Sequence, residues 1–198
     1  MSLGHLGRTA DRRVTGPAMA LLALLCTVFA ASAYGKVRST TAWQSFMSSL
    51  KPLGLVPERL LRPAAIVLPA VELALAIALL AGVLGGFAKL DGVLAIARWA
   101  AAGAIAVLFV LTVGVATAVA RRTKASCACF GASTRPLGRL HVVRNATLLI
   151  IAVLALLATG DRSASAGALV VGAVAGVVGA ALIIRLEDLA DLFFPAPA

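Results

Sequence analysis

Five apolar runs, each near the length of a bilayer crossing, leave this chain few folds to choose from. They cover residues 17–34, 63–86, 93–120, 140–158 and 164–184, and a spanning helix needs about 20 predominantly apolar residues. A helix satisfies its own backbone hydrogen bonds in lipid, where no water can do so. The expected fold is therefore an all-α, polytopic membrane helix bundle. A mean hydropathy of +1.02 agrees with that reading, as does a charged fraction of only 13%. The chain divides into a basic tail (1–16), a four-helix membrane domain (17–158), a fifth transmembrane helix (164–185) and a C-terminal tail (186–198).

The first run has a second reading. Arg8, Arg12 and Arg13 precede it and Ala31, Ser32 and Ala33 close it, the layout of a cleavable signal peptide. The apolarity continues to Tyr34 and four further spans follow, so an uncleaved first helix is expected.

The net charge of +10 lies mostly at the ends of apolar runs. That is the usual flank of a membrane span, and it names the lipid bilayer as partner rather than nucleic acid. Lys36, Arg38, Lys51, Arg59 and Arg62 follow the first run, and Arg121, Arg122, Lys124, Arg135 and Arg139 lie between the third and fourth. Counting these loops places both segments in the cytoplasm, whereas the three leading arginines place the N terminus inside and both segments outside.

The polar island between the third and fourth runs holds CACFG, residues 127–131. Cys127 and Cys129 are two of the chain's three cysteines. Thiols two residues apart can bond only with strain, and the bond closes too small a loop to stabilise much. A strained, exposed disulfide exchanges readily with a partner thiolate, and the neighbouring basic residues favour the thiolate form. The alternatives are lipid attachment, incidental placement or half a metal site. A closed structural metal site takes about four ligands, and His141 is the one nearby imidazole, so no metal is expected. Cys26, mid-helix in the first run, reads as a small packing residue.

Glu72 lies well inside the second run, where a carboxylate is expensive and needs a partner. Lys36, Arg38 and Arg144 are the candidates, with a structural ion pair and a proton-carrying role equally open. Arg144 and Asn145 open the fourth run on the same side as CACFG and suit the holding of a thiolate, a quinone oxygen or a carboxylate. Trp43 and Phe46 are placed to cover a pocket above the cysteines or to anchor at the interface. Ala168, Gly172, Gly176 and Ala180 form a small-residue ladder on the fifth run that permits close packing, against the bundle or a second copy of the chain.

The set GKVRSTTAW, LPAVELALAIALLAG, CACFG and HVVRNATLL, in that order and spacing over roughly 17–158, resembles the methylamine utilisation protein MauE family, a branch of the DoxX-like integral membrane proteins. The family's usual motif is Cys-Gly-Cys-Phe-Gly; here Ala128 replaces the central glycine, ahead of Phe130 and Gly131. The resemblance implies a membrane accessory factor in thiol redox chemistry that works with a thioredoxin-like redox protein while exported client proteins mature. In architecture alone the chain is also similar to the quinone-linked thiol oxidases of the DsbB and vitamin K epoxide reductase types, which raises quinone as a cofactor. On this reading Cys127 and Cys129 cycle between dithiol and disulfide, assisted by Glu72, Arg144 and Lys36. The face outside the cytoplasm of the plasma membrane is expected to carry them, because disulfide exchange has a use there. The rivals are a non-enzymatic assembly or chaperone subunit, and a metal-handling protein using CxC as soft ligands.

Overall fold

The computed structural model describes residues 15–53, 57–88, 91–121, 139–158, 164–186 and 188–189. Cys127, Cys129, Phe130 and Gly131 lie outside the described residues, as do the N-terminal arginines and the last nine residues. Among the described residues the regular structure is helical throughout: α1 (Gly16–Val37), α2 (Thr40–Leu53), a 3-10 turn (Glu58–Leu60), α3 (Leu61–Ala88), α4 (Asp91–Ala120), α5 (Arg139–Ala158) and α6 (Ala166–Ile184). Five of these, all but α2, are long and apolar enough to cross a membrane. The five expected spans are thus present, and the chain is a multi-pass membrane protein with an all-α bundle.

Local chemistry sets the helix ends. The Thr15 hydroxyl accepts the Ala18 N–H at 3.3 Å, with Pro17 in the first turn of α1, where its missing N–H removes nothing. The Ser165 hydroxyl caps α6 in the same way at 3.3 Å. Pro69 sits inside α3 and withholds the bond that residue 69 would give to the Ala65 carbonyl, a loss that packed neighbours make tolerable in a membrane helix. At 1.5 Å per residue, the 28-residue α3 is about 42 Å long. It exceeds the hydrocarbon core of roughly 30 Å, so it is long enough to span with tilt.

The sequence reading treats 35–62 as a connecting loop, but the structure makes a helix of its first half. Ser39 turns the chain between α1 and α2, accepting the Ala42 N–H on its hydroxyl at 3.1 Å and the Trp43 N–H on its carbonyl at 3.0 Å. Ala42, Phe46 and Ser49 on α2 are buried while Gln44, Ser48 and Lys51 are exposed, so α2 is amphipathic and lies against the bundle. It is too short and too polar to span.

The core is built around α1, which packs along α6 and α3 and also meets α5 and α2. Lipid offers apolar contacts as good as a neighbouring helix does, so association relies on close approach and dense packing. The buried stripes are accordingly rich in alanine: Ala76 on α3, Ala97, Ala100 and Ala104 on α4, Ala152 and Ala155 on α5. Bulky residues such as Ile77, Leu84, Trp99, Phe109, Leu157 and Val171 point outward.

The small-residue ladder of the fifth span faces α1 of its own chain. A Cβ added at Gly172 would run into the Gly16 carbonyl, and one at Gly176 into the Ala20 carbonyl. Gly172, Gly176 and Ala180 are buried there, so the residues that suggested a homo-oligomer through this helix are already occupied. What α6 presents outward is a valine face: Val170, Val171, Val174, Val177 and Val178.

Gly176→Val should therefore force α1 and α6 apart. Overpacking of this kind costs about 1–3 kcal/mol, and the midpoint of heat-induced aggregation in mild detergent should fall. Gly167→Ala, which adds its methyl where nothing lies within 4 Å, should leave that midpoint unchanged. An equal effect of the two substitutions would show that the α1–α6 contact is not a close one.

Candidate functional site

Ser32 and Lys36 stand four residues apart, hence on one face of α1. On α3 the buried residues Ala65, Pro69, Glu72, Ala76, Leu79 and Val83 repeat at three- and four-residue intervals and form one stripe. Glu72 is the sole charge in that stripe, and the stripe packs on α1. The helical register thus brings Glu72 to Lys36.

Contact is close and complete. The Lys36 ammonium donates to Glu72 Oε1 at 2.8 Å, to Glu72 Oε2 at 2.7 Å and to Ser32 Oγ at 2.6 Å. An ammonium has three protons and no acceptor capacity, so these three oxygens use all of them. The Ser32 hydroxyl then donates onward to Glu72 Oε1 at 3.2 Å. Both charged side chains are only 1% exposed.

Lys36 occupies the next-to-last position of α1, where a lysine ordinarily snorkels outward to the interface. The turn at Ser39 prevents this by laying α2 across the end of α1. The Phe46 ring lies 5.4 Å from the ammonium, near enough for a cation–π attraction, and Trp43 packs on Phe46 with ring centres 6.0 Å apart. The expectation that Glu72 turns into the bundle toward a basic group is met, with Lys36 as partner. Arg38 is exposed and takes no part in this pair.

His141, Arg144 and Asn145 are 4%, 4% and 6% exposed. With Leu148, Ala152 and Ala155 they form the buried stripe of α5. Arg144 is thus buried rather than snorkelled, and it has contacts of its own. Since each span crosses once, the end of α1, the start of α3, the end of α4 and the start of α5 lie on the same side of the membrane. The Lys36–Glu72 pair, α2 and the polar opening turns of α5 all lie toward that side.

Cys26 lies deeper along α1 than Ser32 and Lys36. Its thiol donates to the Ala76 carbonyl at 3.4 Å, linking α1 to α3, as a packing residue would. Ser32 is the member of the ion-pair cluster that sequence reasoning missed, and its four-residue spacing from Lys36 was the signal available. The surface offers a contrast: Lys51 and Glu58, 2.8 Å apart, are 68% and 76% exposed. The hydrogen bond that Lys51 donates to Glu58 raises the Lys51 pKa above the ordinary lysine value, yet an exposed pair of this kind contributes little to stability.

The buried arrangement can fix α1, α2 and α3 relative to one another, and it offers a carboxylate and an ammonium screened from water. No curated protein and no solved structure matches the chain. The family model for the methylamine utilisation protein MauE matches residues 15–158, from the cap of α1 to the end of α5. With more than half its length matched, the chain belongs to the MauE family.

Proposed function

We propose that this protein is a thiol redox accessory factor of the plasma membrane that exchanges the Cys127–Cys129 pair with a thioredoxin-like partner during maturation of exported proteins. Methylamine utilisation, the process in the family's description, is the setting in which its client is sought. The observation that carries the reading is the gathering of Lys36, Glu72, His141, Arg144 and Asn145, all buried, toward the side of the bundle where segment 122–138 joins α4 to α5. Buried charge and polarity in a membrane helix bundle are costly and tend to mark function.

The exchange is balanced as follows. A thiolate of the pair attacks the partner's disulfide, forms a mixed disulfide and releases one partner thiolate. The second thiolate of the pair then attacks the mixed disulfide, closing the Cys127–Cys129 bond and releasing the partner as a dithiol. Two electrons and two protons pass to the partner, and the reverse sequence re-reduces the pair. Lys36 and Glu72 serve as the anchor that holds α1, α2 and α3 in place.

Thiol labelling before and after mild reduction should change at Cys127 and Cys129 and not at Cys26. If both thiols label fully under oxidising conditions, or if Cys26 responds as they do, the redox reading falls and the assembly-subunit reading takes its place. An impermeant thiol reagent applied to intact cells should reach the reduced pair, placing it on the extracytoplasmic side. Protection until the membrane is permeabilised would reverse that assignment.

The anchor role predicts a specific pattern of rescue. Removing one member of a buried ion pair is destabilising by about 3–5 kcal/mol, whereas replacing both by apolar groups is often neutral. Lys36→Met alone should lower accumulation and thermal stability, and Lys36→Met combined with Glu72→Leu should restore much of both. Thiol exchange should survive in the stable double variant. Its loss there would give the pair a role in proton transfer instead.

A further inference from the structure

Between α2 and the start of α3 runs an open groove of about 720 Å³, outside the ion-pair cluster and unused by the proposed thiol chemistry. Its walls are largely apolar, from Trp43 and Met47 on α2 and Leu61 and Ile66 on α3, and its charged groups are Lys51 and Arg62. Among the described residues no acidic side chain lines it. Glu58 touches its edge only through Lys51, so Lys51, Glu58 and Arg62 together leave one net positive charge at the rim.

We propose that this groove binds an anionic phospholipid of the surrounding bilayer, with the phosphate at Arg62 and Lys51 and an acyl chain running down past Ile66. Three observations converge on that occupant. First, the floor of the groove is continuous with the lipid-facing stripe of α3: Ile66 is 62% exposed and the adjacent Val67 is 56% exposed. An occupant must therefore carry an apolar part that merges with the bilayer, which a soluble peptide or metabolite lacks. Second, the polar end of the occupant must be anionic, because Arg62, Lys51 and Glu58 sum to one positive charge at the rim; a guanidinium also meets a phosphate through paired hydrogen bonds. Third, Trp43 lines the groove, and tryptophan is enriched at the membrane–water interface where lipid headgroups lie. Basic pockets at the membrane face bind acidic lipid heads on this principle.

The protein supplies its own reporter. Its two tryptophans are Trp43 and Trp99, and Trp99 is 79% exposed, so Trp99→Phe leaves Trp43 as sole fluorophore with little disturbance to packing. The full chain with this substitution is reconstituted in phosphatidylcholine vesicles containing a minor fraction of brominated phosphatidylglycerol, or of brominated phosphatidylcholine. Quenching of Trp43 should reach half its maximum at an about fivefold lower mole fraction of the anionic lipid, the preference expected of one uncompensated cation near the surface. Arg62→Gln should remove most of that preference, and adding Lys51→Gln should remove the remainder. Equal quenching by the two lipids, or a preference that persists in the double variant, would overturn the proposal. So would co-purified quinone that is lost with Arg62→Gln while no anionic preference is seen. These readouts involve no cysteine and stand apart from the thiol reading.

Discussion

A lysine ammonium and a glutamate carboxylate held at 1% exposure inside a membrane protein constrain everything around them. Desolvating two charges costs several kcal/mol per ion, and the cost is met only when geometry is close and the remaining hydrogen-bonding capacity is filled. Here the filling is specific: Ser32 supplies the third acceptor for the ammonium and a second donor for the carboxylate. This requires α1 and α3 in one register, and it requires α2 to turn back at Ser39 so that Phe46 closes the top. A slip of either helix by one residue would carry Lys36 or Glu72 about 100° around its axis and leave a charge facing lipid. The pair therefore acts on specificity of packing more than on its strength.

The same α1 that carries Lys36 receives α6 along its other side. Gly172 and Gly176 let the α1 backbone approach until no Cβ would fit, which fixes α1 laterally where the ion pair fixes it in rotation. The MauE match ends with α5, so the helix that grips α1 most extensively lies beyond the part of the chain shared with the family model. In this protein α6 is a packing member of the bundle, with its valine face left to the lipid.

Much of the fold was legible because the bilayer imposes a length. Each span found from apolarity agrees with its helix to within a few residues, as for 140–158 against Arg139–Ala158. Helix α2 escaped for the same reason: at 14 residues it crosses nothing, and an apolar-run criterion passes over it. Its pattern of Trp43, Phe46, Met47 and Leu50 at three- and four-residue steps was nonetheless in the sequence. Glu72 was recognisable as a buried charge, since lipid penalises any other placement, but the choice among Lys36, Arg38 and Arg144 depends on tertiary register that one chain's pattern does not carry. The small-residue ladder likewise announced close packing without naming α1 as its partner. Cys127 and Cys129, the sequence's strongest chemical signal, lie outside the described residues, so the proposal for them rests on the motif.

Helix α2 links these features physically. Ala42, Phe46 and Ser49 face the bundle, with Phe46 over the ammonium, while Trp43, Met47 and Lys51 face the groove toward α3. A rotation of α2 about its axis sufficient to move Phe46 off Lys36 would admit water to the ion pair and reshape the groove at once, because both faces belong to one rigid helix. The position of α2 is thus set jointly by a buried cation on one side and by what fills the groove on the other. Either contact, when strengthened, stabilises the other by holding the helix they share. Since α2 also touches α4, the setting of α2 bears on α4 as well as on α1 and α3.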